Sequence, residues 1–157
     1  MLVFKFGGAS VKDAAGVINL SEIVRKYSGR QLFIVVSAMG KTTNALERLT
    51  KAYVDSSDEL HGIFSEIKDY HFNIVKQLFE PSHAIFNEVA NTFVEIDWMI
   101  EDEPHDDYDF IYDQVVSIGE LVSTRIVAAY LNHSGIKTQW ADARGYRHTD
   151  NNNREGN

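Results

Sequence analysis

The N-terminal segment, residues 2–12, constrains the fold of this chain more than any other stretch. It opens with a short run that is apolar except for Lys5, which is typical of a central strand covered on both faces. Gly7 and Gly8 follow, and they permit a sharp turn and the close approach of a ligand to backbone N–H groups. Ser10 is a favourable N-cap residue, so a helix is predicted to begin there.

This strand, turn and helix allow two interpretations. A helix N-terminus directs free N–H groups and the positive end of its dipole at the turn, and the Lys5 ammonium beside it would complete an anion site. The alternative is a plain strand-to-helix connection, in which Lys5 extends from the strand end into solvent. The glycine spacing differs from that of the P-loop, G-x-x-x-x-G-K-[ST], so the local pattern does not decide between them.

A second apolar, β-branched run at residues 32–37 predicts another buried parallel strand. Apolar residues at helical spacing lie between the two runs, so the first 37 residues read as a βαβ unit. The second strand enters a small polar segment, residues 37–44, that opens a helix near Thr43. Open α/β sheets bind ligands at the carboxyl ends of their parallel strands, where this segment would lie. The alternative is that its polar residues do no more than cap the helix.

The rest of the chain is predicted to be mainly helical. Two apolar stripes separated by a break at Pro81 indicate a helical hairpin at about residues 55–107. A long helix at residues 108–132 carries Gly119 and Glu120; the glycine marks either a break or a close approach, and the glutamate is either solvated or functional. Residues 137–141 are predicted to form a third strand.

The bulk composition excludes several classes of function. The net charge of −8 argues against a nucleic-acid partner, which would need a basic face. The chain has no cysteine, and its six histidines share no metal-ligand spacing, so no metal site is assigned; His71 is predicted to be a packed histidine. No membrane span or signal peptide is evident, which favours a cytoplasmic protein.

Several separated motifs resemble the aspartokinases of the amino acid kinase family. Residues 5–11 resemble the N-terminal signature of that family, and residues 37–44 resemble its second loop. Residues 117–124 are similar to its glycine–glutamate helix motif, and residues 140–144 to the strand after that helix. The resemblance extends in order from residue 2 to about residue 157, and the shared order and spacing make it specific.

The resemblance implies an α/β fold, a three-layer αβα sandwich around a mainly parallel sheet. It implies ATP-dependent phosphorylation of the side-chain carboxylate of L-aspartate, which leads into lysine, threonine and methionine synthesis. Mg²⁺ would arrive with ATP as the co-substrate. The full-length protein would be a homodimer.

The resemblance also assigns roles to individual residues. Four residues of the first motif would hold the phosphate groups of ATP: Lys5, Gly7, Gly8 and Ser10. Three others would contact aspartate: Ser37, Thr43 and Glu120. Lys5 would be catalytic through contact with the phosphoryl group in transfer, and Glu120 would pair with the substrate's ammonium group.

Two departures from the aspartokinase pattern shape the expected function. Ala9 stands where the family usually has threonine, and a later segment with a substrate-binding arginine has no counterpart here. We therefore expect residues 1–157 to be the N-terminal portion of an incomplete catalytic domain, inactive alone. The alternatives are another amino acid kinase, acting on glutamate, acetylglutamate, carbamate or a nucleotide monophosphate, or a non-catalytic amino-acid-binding module.

Overall fold

A computed structural model describes residues 1–104 and 107–146 of the chain. Two of the histidines considered as metal ligands, His105 and His148, lie outside the described residues, as does most of the polar C-terminal segment. Seven regular elements follow in order: β1 (Leu2–Phe6), α1 (Ala14–Arg25), β2 (Leu32–Val36), α2 (Thr42–Val54), α3 (Leu60–Leu78), α4 (Ile85–Glu101) and α5 (Tyr108–His133).

The two strands form the predicted βαβ unit. β1 and β2 are parallel neighbours, in a register that runs from Leu2 opposite Leu32 to Phe6 opposite Val36. The strands were predicted to be covered on both faces. Among the described residues, alternate positions of β1 and β2 are instead open to solvent. Val3 is 61% exposed and Phe33 is 55% exposed, so the helices cover one face of this sheet.

The predicted third strand at residues 137–141 is wrong for the described part of the chain, where this segment has no regular secondary structure and pairs with neither strand. A cleft of about 800 Å³ is lined by this segment and by β2. The segment is held instead by α5: Asn132 bonds both the N–H and the carbonyl of Thr138, and Trp140 donates to the Thr124 hydroxyl at 3.0 Å. A strand needs a neighbouring strand with which to form hydrogen bonds, and none of the described segments pairs with residues 137–141.

The helical hairpin is confirmed, with α3 and α4 packed against each other on apolar stripes. Phe64 and Phe93 meet edge to face across the hairpin, with ring centroids 6.0 Å apart. α5 is central, since it contacts α1, α2, α4 and β2. Within the described residues, no helix combines the length and apolar character needed to cross a membrane.

Candidate functional site

Two loops lie side by side at the carboxyl ends of the strands, as predicted. We call them the first loop (residues 7–13) and the second loop (residues 37–41). The Gly40 N–H donates a hydrogen bond to the Gly8 carbonyl at 2.9 Å. A Cβ atom on Gly8 would lie 2.6 Å from the Ala38 carbonyl oxygen, so only glycine permits this contact.

Residues 117–124 of α5, which we call the α5 motif, lie against the second loop. The helix is continuous at Gly119, and a Cβ atom there would lie 3.2 Å from both Ala38 and Thr42. Of the two interpretations left open for Gly119, the close approach is therefore correct and the break in the helix is not. One turn later, the Ser123 hydroxyl donates to the Ser37 carbonyl at 2.7 Å. Sequence reasoning missed Ser123, although its spacing of four residues from Gly119 places it on the same helix face.

The predicted helix start at Ser10 is wrong. A short 3₁₀ turn occupies Gly8–Val11, and α1 begins at Ala14. Asp13 is the N-cap, and its carboxylate accepts a hydrogen bond from the Gly16 N–H at 2.8 Å. The side chain already present at the N-terminus of α1 therefore satisfies one of its N–H groups.

The N-terminus of α2, unlike that of α1, has no capping side chain. α2 follows the second loop directly, and its N-cap residue Lys41 makes no side-chain capping bond. Thr43 and Asn44 are exposed in its first turn, where backbone N–H groups have no partner inside the helix. Such groups, together with the helix dipole, favour bound anions.

The predicted site residues occupy the loops, their strands and the adjoining helices. Five of them are exposed: Lys5, Gly7, Ser10, Thr43 and Glu120. Two are half-buried: Gly8 and Ser37. Glu120 alone among these seven lines a cleft of about 1360 Å³ between α2 and α5. The structure thus joins the loops to the α5 motif, while Lys5 lies on the open face of β1 and does not line the Glu120 cleft.

The Glu120 cleft carries charges of both signs. Arg144 lines it and is held by Asp142 at 2.9 Å and by Glu95 at 3.7 Å. Hydrogen bonds from Arg144 lower the pKa of the Asp142 carboxyl. Arg48 and Lys51 of α2 also line it, so the cleft offers partners for both an ammonium and a carboxylate group.

His71 connects α3 to the second-loop end of α2. The side chain is fully buried, and its Nδ1 lies 2.8 Å from the Ile67 carbonyl, so this nitrogen carries the ring proton. Its Nε2 lies 3.3 Å from the Thr42 hydroxyl oxygen, and that hydroxyl donates its proton to the Met39 carbonyl at 2.6 Å. The prediction of a packed histidine is confirmed, and no cluster of metal-ligating side chains occurs among the described residues.

Buried His71 should make the fold sensitive to acid. Burial lowers the pKa of His71 from its ordinary value of 6.5 to about 4. Between these two pKa values the unfolded chain binds more protons than the folded chain. The free energy of unfolding therefore falls as the pH drops from 6.5 to about 4. We expect the His71 contribution, about 3 kcal/mol, to be lost between pH 7 and pH 4.

Urea unfolding at a series of pH values would measure this loss, with His71→Leu as the comparison. The variant should show a flatter dependence of the free energy of unfolding on pH. His61→Leu, an exposed position on the same helix, is the matched control and should retain the wild-type slope. Equal slopes for the wild type and His71→Leu would show that another group carries the acid sensitivity.

Comparison with known proteins places these features in a family. The sequence profile of the amino acid kinase family matches residues 1–157. Aspartokinase 1 (chloroplastic) of Arabidopsis thaliana is 36% identical over 148 residues, which cover 90% of this chain and 25% of that protein. The bifunctional aspartokinase/homoserine dehydrogenase 2 of Escherichia coli is 29% identical over 144 residues, which cover 90% of this chain and 17% of that protein.

Solved structures show the same similarity. E. coli aspartokinase III in complex with aspartate and ADP (R-state) is 28% identical, with a TM-score of 0.83 over 96% of this chain and 33% of that one. The same enzyme with lysine and aspartate (T-state) is 27% identical, with a TM-score of 0.87 over 100% of this chain and 34% of that one. The predicted α/β fold and the resemblance to aspartokinases are thereby confirmed. The chain spans a quarter or less of the two curated relatives and about a third of the solved structures.

Proposed function

The chain belongs to the amino acid kinase family, and from this premise we propose that it is the N-terminal part of an aspartokinase catalytic domain. In the full-length protein, ATP would phosphorylate the side-chain carboxylate of L-aspartate. The convergence of three motifs carries this proposal. Gly8 bonds Gly40 across the two loops, and Ser123 ties α5 to Ser37.

The first loop forms the phosphate side of the proposed site. Lys5 would contact the phosphoryl group in transfer, and the glycines and Ser10 would allow the phosphates to approach backbone N–H groups. Mg²⁺ would enter with the nucleotide. Mg²⁺ would neutralise part of the charge on the phosphate oxygens.

The proposed chemistry needs no general base. A free aspartate carboxylate has a pKa of about 4, so the nucleophile is ionised at neutral pH. The site must instead overcome repulsion between two anions and stabilise charge on the phosphoryl oxygens. A fixed lysine, backbone N–H groups and a helix N-terminus are suited to that task.

The second loop and α5 form the substrate side. Ser37 and Thr43 would hydrogen-bond the aspartate substrate, and the Glu120 carboxylate would pair with its ammonium group. The hydrogen bond from Ser123 fixes the backbone at Ser37, and the tight contact at Gly119 fixes the distance between Glu120 and the second loop. The cytoplasmic location and the homodimer remain predictions.

Glu120→Gln in the full-length protein should test the substrate assignment. The change retains size but removes the charge opposite the ammonium group. A charge-assisted hydrogen bond contributes about 1.5–3 kcal/mol, so the KM for aspartate should rise about 10- to 100-fold. The KM for ATP should stay within twofold of the wild-type value, as measured by ADP release.

Glu66→Gln is the matched control, because Glu66 is exposed on α3 and lines none of the described clefts. It should leave both KM values unchanged. An unchanged KM for aspartate in Glu120→Gln would argue against this role for Glu120 and favour a different amino acid kinase substrate.

A further inference from the structure

The helical hairpin contacts both loops of the proposed site through two adjacent residues of α3. The Tyr70 hydroxyl donates a hydrogen bond to the Lys12 carbonyl in the first loop. Burial raises the pKa of Tyr70, so the hydroxyl retains the proton that it donates. His71, the next residue, reaches Thr42 directly after the second loop. The hairpin therefore packs against both loops, although none of its residues was assigned to the site.

Tyr70 also lies directly against the second loop. Gly40 has a φ of +55°, and a Cβ atom there would lie 2.6 Å from the Tyr70 hydroxyl oxygen. The same glycine donates its N–H to the Gly8 carbonyl. One hydroxyl group thus lies against both loops, at Lys12 of the first and at Gly40 of the second.

His71 provides a second support of the same kind. The Thr42 hydroxyl lies between the Met39 carbonyl at 2.6 Å and His71 Nε2 at 3.3 Å. The opposite side of the ring is fixed through Ile67, and Phe93 of α4 packs against it with centroids 5.5 Å apart. The imidazole position is therefore determined by the core of the hairpin, and the core is coupled to the start of α2.

We propose that Tyr70 and His71 are positioning residues that set the spacing between the first loop, on the phosphate side of the proposed site, and the second loop, on its substrate side. The catalytic part of this inference rests on the proposed kinase function. Its structural part, the restraint of the Gly40–Gly8 hydrogen bond by α3, can be measured without any substrate. Neither residue touches the reacting groups, so both act through the loops.

Amide hydrogen exchange in Tyr70→Phe tests the structural part. Exchange of the Gly40 and Thr42 amides should accelerate at least tenfold, while amides in the middle of α5, such as that of Val122, change by no more than the global loss of stability predicts. Tyr130→Phe removes the hydroxyl of another half-buried tyrosine and should leave Gly40 exchange unchanged relative to Val122. Equal acceleration at Gly40 and Val122, or the same effect in Tyr130→Phe, would overturn the proposal.

A pair of His71 variants tests the second support. His71→Gln retains an amide that can hydrogen-bond the Thr42 hydroxyl, whereas His71→Leu retains only bulk. Protection of the Thr42 amide should be largely retained in the glutamine variant and lost in the leucine variant. Equal protection in both, normalised to Val122, would show that His71 acts only through packing.

Kinetics of the full-length protein test the catalytic consequence. Tyr70→Phe should raise the KM for ATP at least fivefold, because the displaced first loop holds the phosphates of ATP. Unchanged kinetics despite faster Gly40 exchange would overturn the functional half. A wild-type protein without kinase activity would overturn the proposed function, whereas the exchange result would still decide whether α3 restrains the loops.

Discussion

Replacing Lys5 with methionine should reduce kcat of the full-length protein about 10²- to 10³-fold, the usual effect of removing one electrostatic stabiliser of a transition state. Lys5 is exposed on the open face of β1, two residues before Gly7. Its ammonium group would therefore lie beside the first loop, where charge develops on the phosphoryl oxygens. Methionine retains the apolar stem, so the variant should fold with near wild-type stability.

Steady-state ADP release, together with urea unfolding of each variant, would measure both expectations. Lys76→Met is the matched control, since Lys76 is an exposed lysine in the last turn of α3, away from both loops. It should retain wild-type kcat. If kcat of Lys5→Met remained within threefold of wild type, Lys5 would be the solvent-directed lysine of the alternative interpretation.

The elements that the sequence predicted well are those encoded by local patterns. β1 and β2 follow from two short apolar runs, and the βαβ order follows because helical spacing lies between them. The side-by-side loops follow because parallel strands end at one edge. The residue types needed for close approach, Gly8 and Gly119, were also visible in the sequence, and the structure confirms tight contacts at both.

Two elements were predicted wrongly, and the contacts between α3 and the loops were not predicted. Ser10 and Asp13 are both competent caps, and the 3₁₀ turn of the first loop shifts the helix start to the second of them. Residues 137–141 have a strand-like composition, but a ladder also needs a neighbour. Tyr70 and His71 lie on a helix whose periodicity shows only a buried stripe, so their contacts with Lys12 and Thr42 required the tertiary structure.

Gly8→Ala should separate the two loops at considerable cost in stability. The added methyl group would lie 2.6 Å from the Ala38 carbonyl oxygen and 2.9 Å from the Gly40 carbonyl oxygen. Both obstacles are backbone atoms, so no side-chain rotation can relieve the overlap. Overpacking of this kind costs typically 1–3 kcal/mol, and we expect about 3 kcal/mol here because the loops must move apart.

Gly7→Ala is a stringent control because it makes the same chemical change at the adjacent position. A Cβ atom on Gly7 would meet nothing within 4 Å, and its φ of −76° is accessible to alanine. Its free energy of unfolding should therefore be unchanged or raised by up to about 1 kcal/mol, through reduced entropy of the unfolded chain. Urea unfolding should thus show a large loss in the free energy of unfolding for Gly8→Ala and no loss for Gly7→Ala. Similar values would show that the loops do not meet at Gly8 and would remove the contact on which the proposed site is built.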